Sequence, residues 1–190
     1  MTAFTTTDIV SPNDFGAYVF TSNTNILSAS GAHLFYIAGS FDTLTATGNS
    51  EMVLANGGHN TIHISGSGNN TIYLSGGGNV VDAGAGFNAI TDAVGSGDSI
   101  VIPTAGTGFD QITLLGSADT SLDFSAALKA TNWDGNTSDL GSYISVASSG
   151  GIATVSLSAT ANGPTVAVAS VGHPGGAAWD LPTVLAHAVT

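Results

Sequence analysis

The residues with the most versatile chemistry in this chain are five histidines, His33, His59, His63, His173 and His187. Histidine ligates metals and moves protons near neutral pH. His59 and His63 are four apart, a spacing that chelates a metal when both lie on one helix. Here they fall in a Gly-rich turn and in the short strand that follows it. On a strand the same spacing separates them by roughly 13 Å, so the pair alone does not chelate. His63 and Tyr73 are instead expected as a surface ladder across neighbouring coils. His33 and Tyr36 have donor types found on haem iron, but nothing around them matches a haem carrier. No Gly-x-Ser-x-Gly elbow occurs, so no hydrolase nucleophile is suggested. Gly76-Gly77-Gly78 lacks the Lys and Ser/Thr that complete a phosphate loop. Paired carboxylates of a glycosidase would need sugar-stacking aromatics beside them, which a sheath of small residues does not supply. The expectation is a non-enzyme with no catalytic residue.

Composition narrows the partners. The 190 residues include one basic residue, Lys129, against thirteen acids, for a net charge of −12. Backbone phosphates must be neutralised by cations, so nucleic acid is excluded. The same lack of cations argues against an anionic membrane surface. There is no Cys, hence no disulfide and no thiolate metal site. Hydrophobic residues make up 43% of the chain, too many for disorder by composition. No run of about 18 apolar residues predicts a membrane span. The first residues, Met1 to Asp8, lack the charged and apolar regions of a Sec signal peptide.

What must position any site is a short repeat. Gly58-His59-Asn60-Thr61-Ile62 is followed ten residues later by Gly68-Asn69-Asn70-Thr71-Ile72. The unit Asn/Asp-x-aliphatic recurs at Asn79, Asn88, Asp98 and Asp110, and backwards at Glu51 and Asp42. Its apolar positions are 26, 35, 44, 53, 62, 72, 81, 90, 100 and 112, mostly nine or ten apart. That period suits a short strand plus a tight Gly turn. Within Thr61-Ile62-His63-Ile64 the aliphatics share one face. Two half-turns make one coil of a parallel β-solenoid, whose coils bury their aliphatics against one another. Four or five coils would form a rod on the order of 22 Å long. Asn side chains in register are expected to hydrogen-bond along the rod as a ladder.

The Gly-x-Asn-x-aliphatic unit resembles the repeats-in-toxin (RTX) nonapeptide, Gly-Gly-x-Gly-x-Asp-x-U-x, of calcium-binding parallel β-rolls. The match is best at Gly84-Ala85-Gly86-Phe87-Asn88-Ala89-Ile90 and at Gly106-Thr107-Gly108-Phe109-Asp110-Gln111-Ile112. The family's calcium ligand is the Asp, which here is Asn at 60, 70, 79 and 88. Asn keeps a carbonyl oxygen but not the charge that holds a hard cation. The resemblance therefore implies calcium only where acids gather in the later coils, at Asp82, Asp92, Asp98 and Asp110.

Residues after about 112 leave the repeat. They contain an apolar Leu122–Leu128 stretch, a Trp133-Asp134-Gly135 turn, an alternating strand Ile152–Leu157 and a terminal apolar segment Leu181–Val189. The order resembles the C-terminal target domain of type I secretion substrates, in which a short helix, strands and a terminal helix follow RTX-type coils. The resemblance implies secretion to the exterior or cell surface without a cleaved N-terminal signal. The expected division is an N-terminal strand or cap at 1–25, solenoid repeats at 26–115 and the target-like domain at 116–190. The strand Phe15–Thr21 shows no repeat partner and is expected to pair with an edge, in its own subunit or the next.

The expectation is an all-β protein: a parallel β-solenoid with a β-rich cap carrying short helices. Functionally it is a secreted structural protein that forms homo-oligomers or homopolymers, as filaments or a surface or biofilm-matrix layer. The type I machinery is its other partner. One alternative is an adhesin or glycan-binding module contacting ligand through Tyr36, Tyr73 and Trp179. Another is an ice-binding solenoid with a Thr43, Thr61, Thr71 ladder.

Overall fold

A computed structural model describes residues 6–10, 17–28, 34–93, 97–116 and 119–190. In chain order the strands are β1 (Thr6–Val10), β2 (Ala17–Phe20), β3 (Thr24–Ser28), β4 (Leu34–Ile37), β5 (Thr43–Ala46) and β6 (Met52–Ala55). They continue as β7 (Thr61–Ile64), β8 (Thr71–Leu74), β9 (Val80–Asp82), β10 (Gly86–Asp92), β11 (Ser99–Val101), β12 (Gly108–Leu114) and β13 (Ser121–Asp123). Odd strands stack in parallel in one sheet and even strands in the other, which defines a β-solenoid. Each coil is 18 or 19 residues long in the middle of the rod, two of the half-units seen in the sequence.

The apolar period is the core. Leu44, Ile62 and Val81 stack in register in the odd sheet, and Val53, Ile72 and Ile90 in the even one. All ten apolar positions of the repeat are buried. Parallel strands of three or four residues bury little alone, so each coil depends on its neighbours. Truncating one such side chain, as in Ile72→Ala, costs about 2–5 kcal/mol. The coils stack so closely at the turns that a Cβ at Gly57 would overlap the carbonyl oxygen of Gly39.

The sheets begin before residue 26. β1 pairs with β3, and β2 pairs with β4 through Tyr18↔Phe35 and Phe20↔Ile37. The strand expected to lack a repeat partner is thus an ordinary rung, although Phe15 and Gly16 lie outside the described residues. It escapes the periodicity because its inward residues are aromatic. Tyr18, Phe20 and Phe35 pack ring against ring, with centroids 6.1 to 6.3 Å apart.

The C-terminal part closes the other end. After helix α1 (Ser125–Lys129) and a 3-10 turn at Thr137–Ser142 come β14 (Ile144–Ser149), β15 (Ile152–Ser158) and β16 (Thr165–Gly172). These three form an antiparallel meander, and β16 runs parallel to β12, so the even sheet grows to nine strands. Helix α2 (Leu181–Ala186) is capped by Asp180, whose side chain accepts the Thr183 N–H at 2.9 Å. The helix stops before Val189. Residues 188–189 form β17 beside β13, as the Leu122 and Phe124 N–H groups donate to the carbonyls of His187 and Val189. Among the described residues no helix is long and apolar enough to cross a membrane.

Candidate functional site

Three features stand out: a buried ladder of side chains, two sheet ends that no other described strand pairs, and an apolar outer face. The ladder sits two residues before the buried aliphatic of each rung. In the odd sheet, Asp42, Asn60, Asn79 and Asp98 succeed one another coil by coil. Each side-chain oxygen accepts the backbone N–H of the preceding member: Thr24 to Asp42 at 2.7 Å, Asp42 to Asn60 at 2.9 Å, Asn60 to Asn79 at 3.0 Å and Asn79 to Asp98 at 2.7 Å. The even sheet repeats the pattern, with Glu51 N–H donating to Asn70 at 2.9 Å and Asn70 N–H to Asn88 at 3.2 Å. At the last step the Asn88 side-chain amide donates to Asp110 at 2.9 Å. All eight residues are buried. The Asn ladder expected from the sequence is therefore present, and it takes in acids at both ends.

The amide nitrogens show why Asn suits this place. Asn60 Nδ2 donates to the turn carbonyls of Gly57 at 2.9 Å and Gly39 at 3.2 Å. Asn79 Nδ2 donates to Gly76 O at 2.6 Å, and Asn70 Nδ2 to Ala83 O at 2.9 Å. A calcium ion would be held by such carbonyls together with a carboxylate. In these coils an N–H already occupies the carbonyls, so the residues present do not fit a cation.

The four acids expected as calcium ligands fall in different places. Asp82 is on the outside of the odd sheet, its Oδ2 at 2.9 Å from His63 Nδ1. Asp110 ends the even ladder. Burial pushes its carboxyl up to about 7, against the pull of the Asn88 amide, and the charge of Asp82 raises it further. Asp98 ends the odd ladder. Burial and the neighbouring Asp92 push it up to about 6, although Asn79 donates to it. One oxygen, Asp98 Oδ2, is buried with no hydrogen-bond partner. Asp92 accepts the Thr120 hydroxyl at 2.5 Å. The structure thus brings Asp92 and Asp98 together and sets Asp82 near enough to Asp110 for its charge to act on it, two separate pairs. Among the described residues no three His, Cys, Asp or Glu side chains gather where they could hold a metal ion.

Several surface expectations change for one reason: alternate half-coils belong to opposite sheets. His63 lies on the odd sheet and Tyr73 on the even one, so they form no ladder; His63 faces Asp82 instead. Thr43 and Thr61 are neighbours, but Thr71 is on the other sheet, so the three do not make one plane. His59 stacks on Phe41 with ring centroids 5.1 Å apart. His33 lies outside the described residues. Tyr36 accepts a hydrogen bond from Asn56 Nδ2 at 2.7 Å. Trp179 is buried, stacked on His187 at 4.5 Å, and is no surface contact.

The sheet ends are only partly legible in the sequence. In the nine-stranded sheet the terminal strands are β2 and β14. Their sequences, AYVF and ISVASS, contain no charge and no Pro. Natural edge strands usually carry Lys, Pro or a bulge to block further pairing. On β14, Ser145 and Ala147 to Ser149 are exposed.

The outer faces of the two sheets differ. The odd sheet presents Thr43, Thr45, Thr61, His63 and Asp82, with the exposed Val80 in the same row as Thr61. The even sheet presents one row of Val19, Tyr36, Leu54 and Tyr73, then Thr91 and Thr113, with Leu34 and Met52 alongside. Val19 is 67% exposed, Met52 44% and Tyr73 38%. Comparison with protein-family models, curated proteins and solved structures finds no match to this chain.

Proposed function

We propose that the chain is a secreted, non-enzymatic structural protein that assembles with copies of itself into extracellular filaments or a surface or matrix layer. Export by a type I secretion machinery belongs to this reading and rests on the resemblance of the C-terminal segment. The observation that carries assembly is the pair of uncharged, Pro-free terminal strands β2 and β14 on one continuous sheet. Among the described residues neither pairs with a further strand on its outer side, and an edge of that kind is a template for a strand of another copy. Pairing β14 of one copy with β2 of the next is a heterologous contact, and such contacts propagate into open fibres. Nine strands per copy give an axial repeat of about 43 Å.

Calcium enters this reading only at Asp92 and Asp98, the pair of acids that are both buried. Negative-stain microscopy of the purified protein, with calcium and with chelator, tests assembly and metal dependence at once. Filaments with a repeat near that length support the proposal. Ser145→Lys with Ala147→Lys charges the β14 end and is expected to abolish them, while circular dichroism stays unchanged. A protein that remains strictly monomeric by light scattering under both conditions defeats the reading.

A further inference from the structure

We infer that a cavity where the solenoid meets the C-terminal meander is a binding site for a neutral saccharide of one or two rings. It lies on the outer side of the even sheet, over β12, β16 and β15, and has a volume of about 360 Å³. That size falls within the range of small-molecule sites. Both walls are tight turns. Gly150 and Gly151, between β14 and β15, have φ of 59° and 82°, and the Ser149–Ile152 pair closes them as a type I′ turn. His173-Pro174-Gly175-Gly176 follows β16. Gly175 has φ of 84° and the Gly176 N–H donates to His173 O at 3.0 Å, the pattern of a type II turn. A Cβ at Gly176 would overlap the His173 ring, so glycine there lets the imidazole fold back over its own turn. Walls of this kind are formed before a ligand arrives, and binding then pays little for ordering them. The floor is Gly172, level with Thr113 on one side and Ile152 on the other. Glycine in a strand often marks the close approach of a ligand.

The lining sets the class of ligand. Gln111, Thr113, Ser170 and His173 line the cavity, and none of their side chains has a hydrogen-bond partner among the described residues. An amide, two hydroxyls and an imidazole both donate and accept, as the hydroxyls of a sugar do. No Asp, Glu, Lys or Arg lines the cavity, so a phosphate, carboxylate or ammonium group meets no fixed counter-charge. The net charge of −12 disfavours an anion further. The exposed Ile152 and Pro174 supply apolar surface for the C–H face of a pyranose ring. Without an aromatic platform the expected affinity is weak, on the order of 1 mM. One chain contains the whole site, so the inference stands apart from filament formation.

Saturation-transfer difference NMR on the whole chain detects binding of that strength, whether the protein is monomeric or polymerised. The probes are glucose, galactose, mannose, N-acetylglucosamine, cellobiose and chitobiose, each at about 10 mM, above the expected dissociation constant. At least one is expected to be saturated. Gly172→Val then fills the floor. A Cβ there meets only Ile112 O at 3.8 Å and Ile152 Cγ1 at 3.9 Å, so the side chain is accommodated and the strand kept. The signal is expected to fall about tenfold. Gln111→Ala, at an exposed position, removes one donor and acceptor and is expected to lower it several-fold. Circular dichroism establishes that both variants are folded. No saturation of any of these sugars overturns the inference, as does equal saturation in the unaltered protein and both variants. Saturation of N-acetyl-glycyl-glycinamide in place of every sugar assigns the cavity to a peptide and also overturns it.

Discussion

Asn60→Asp asks whether side-chain amides, rather than cations, join the coils. Asn60 is buried; its Oδ1 accepts the Asp42 N–H at 2.9 Å, and its Nδ2 donates to Gly57 O at 2.9 Å and Gly39 O at 3.2 Å. Asp preserves the first contact and sets an oxygen against two carbonyl oxygens. The two lost hydrogen bonds cost about 1 kcal/mol each. Ionisation costs more. Asp110, at the equivalent place in the other sheet, is pushed from an ordinary 3.8 to about 7 even though an amide donates to it. The new carboxyl has no donor at its second oxygen, so it is raised at least as far. A rise of that size corresponds to about 4 kcal/mol. A group whose folded pKa is raised is favoured when protonated. The penalty is therefore absent below the unfolded value of about 4, grows as pH rises, and is complete above pH 7. Urea unfolding followed by circular dichroism, in chelator, at pH 4 and pH 8, reads it as a difference from the unaltered protein. The variant is expected within about 1–2 kcal/mol at pH 4 and about 5–6 kcal/mol less stable at pH 8, where the ionisation cost adds to the lost hydrogen bonds. Added calcium then measures how far a cation replaces the missing N–H. Equal stability of the two proteins at pH 8 in chelator would refute the reasoning.

The unaltered protein carries a related pH dependence. Asp98 and Asp110 are raised to about 6 and about 7, so their protonated forms favour the fold, and stability present at pH 4 declines as pH rises through those values. Asp110→Asn retains an acceptor for the Asn88 amide and should flatten that decline, adding about 3 kcal/mol at pH 8 in the same unfolding assay. Gly57→Ala places a methyl group against the stacked Gly39 turn and is expected to cost about 3 kcal/mol or more, seen as a lowered thermal midpoint. Trp179→Ala removes a buried ring stacked on His187 and should cost about 3–5 kcal/mol. Its first effect is expected in amide exchange of β17 and the 122–124 backbone.

The solenoid is legible because its two signals are local. A Gly turn and an inward aliphatic recur within nine or ten residues, so positions such as Ile62, Ile72 and Val81 declare themselves without tertiary knowledge. The ladder is legible for the same reason, since Asn60, Asn70, Asn79 and Asn88 keep a fixed offset from those aliphatics. Which side of the rod a residue faces is harder. Consecutive half-coils look alike in sequence but alternate between sheets, which is why periodicity suggests His63 beside Tyr73 and Thr61 beside Thr71. The first rungs are hidden because Tyr18 and Phe20 replace the aliphatics and the position two before Tyr18 is Gly16, where later rungs carry Asn, Asp or Glu. The buried Trp179 has no periodic neighbour to show that it packs inward. The apolar row across β2 to β8 spans four strands and 55 residues, from Val19 to Tyr73, so it exists only once register is known.

The charge distribution joins the ladder to assembly. Of thirteen acids, Asp42, Glu51, Asp92, Asp98 and Asp110 are buried along the rod rather than displayed on it. Acids in such places normally demand cations or a metal. Here N–H groups donate to Asp42, Asp98 and Asp110, and burial pushes all three carboxyls toward protonation. A chain with a single Lys tolerates a buried acidic column only because amides take the place of counter-ions. The consequence lies on the outside. With those acids withdrawn, little charge is left on the even sheet to keep flat faces of neighbouring copies apart.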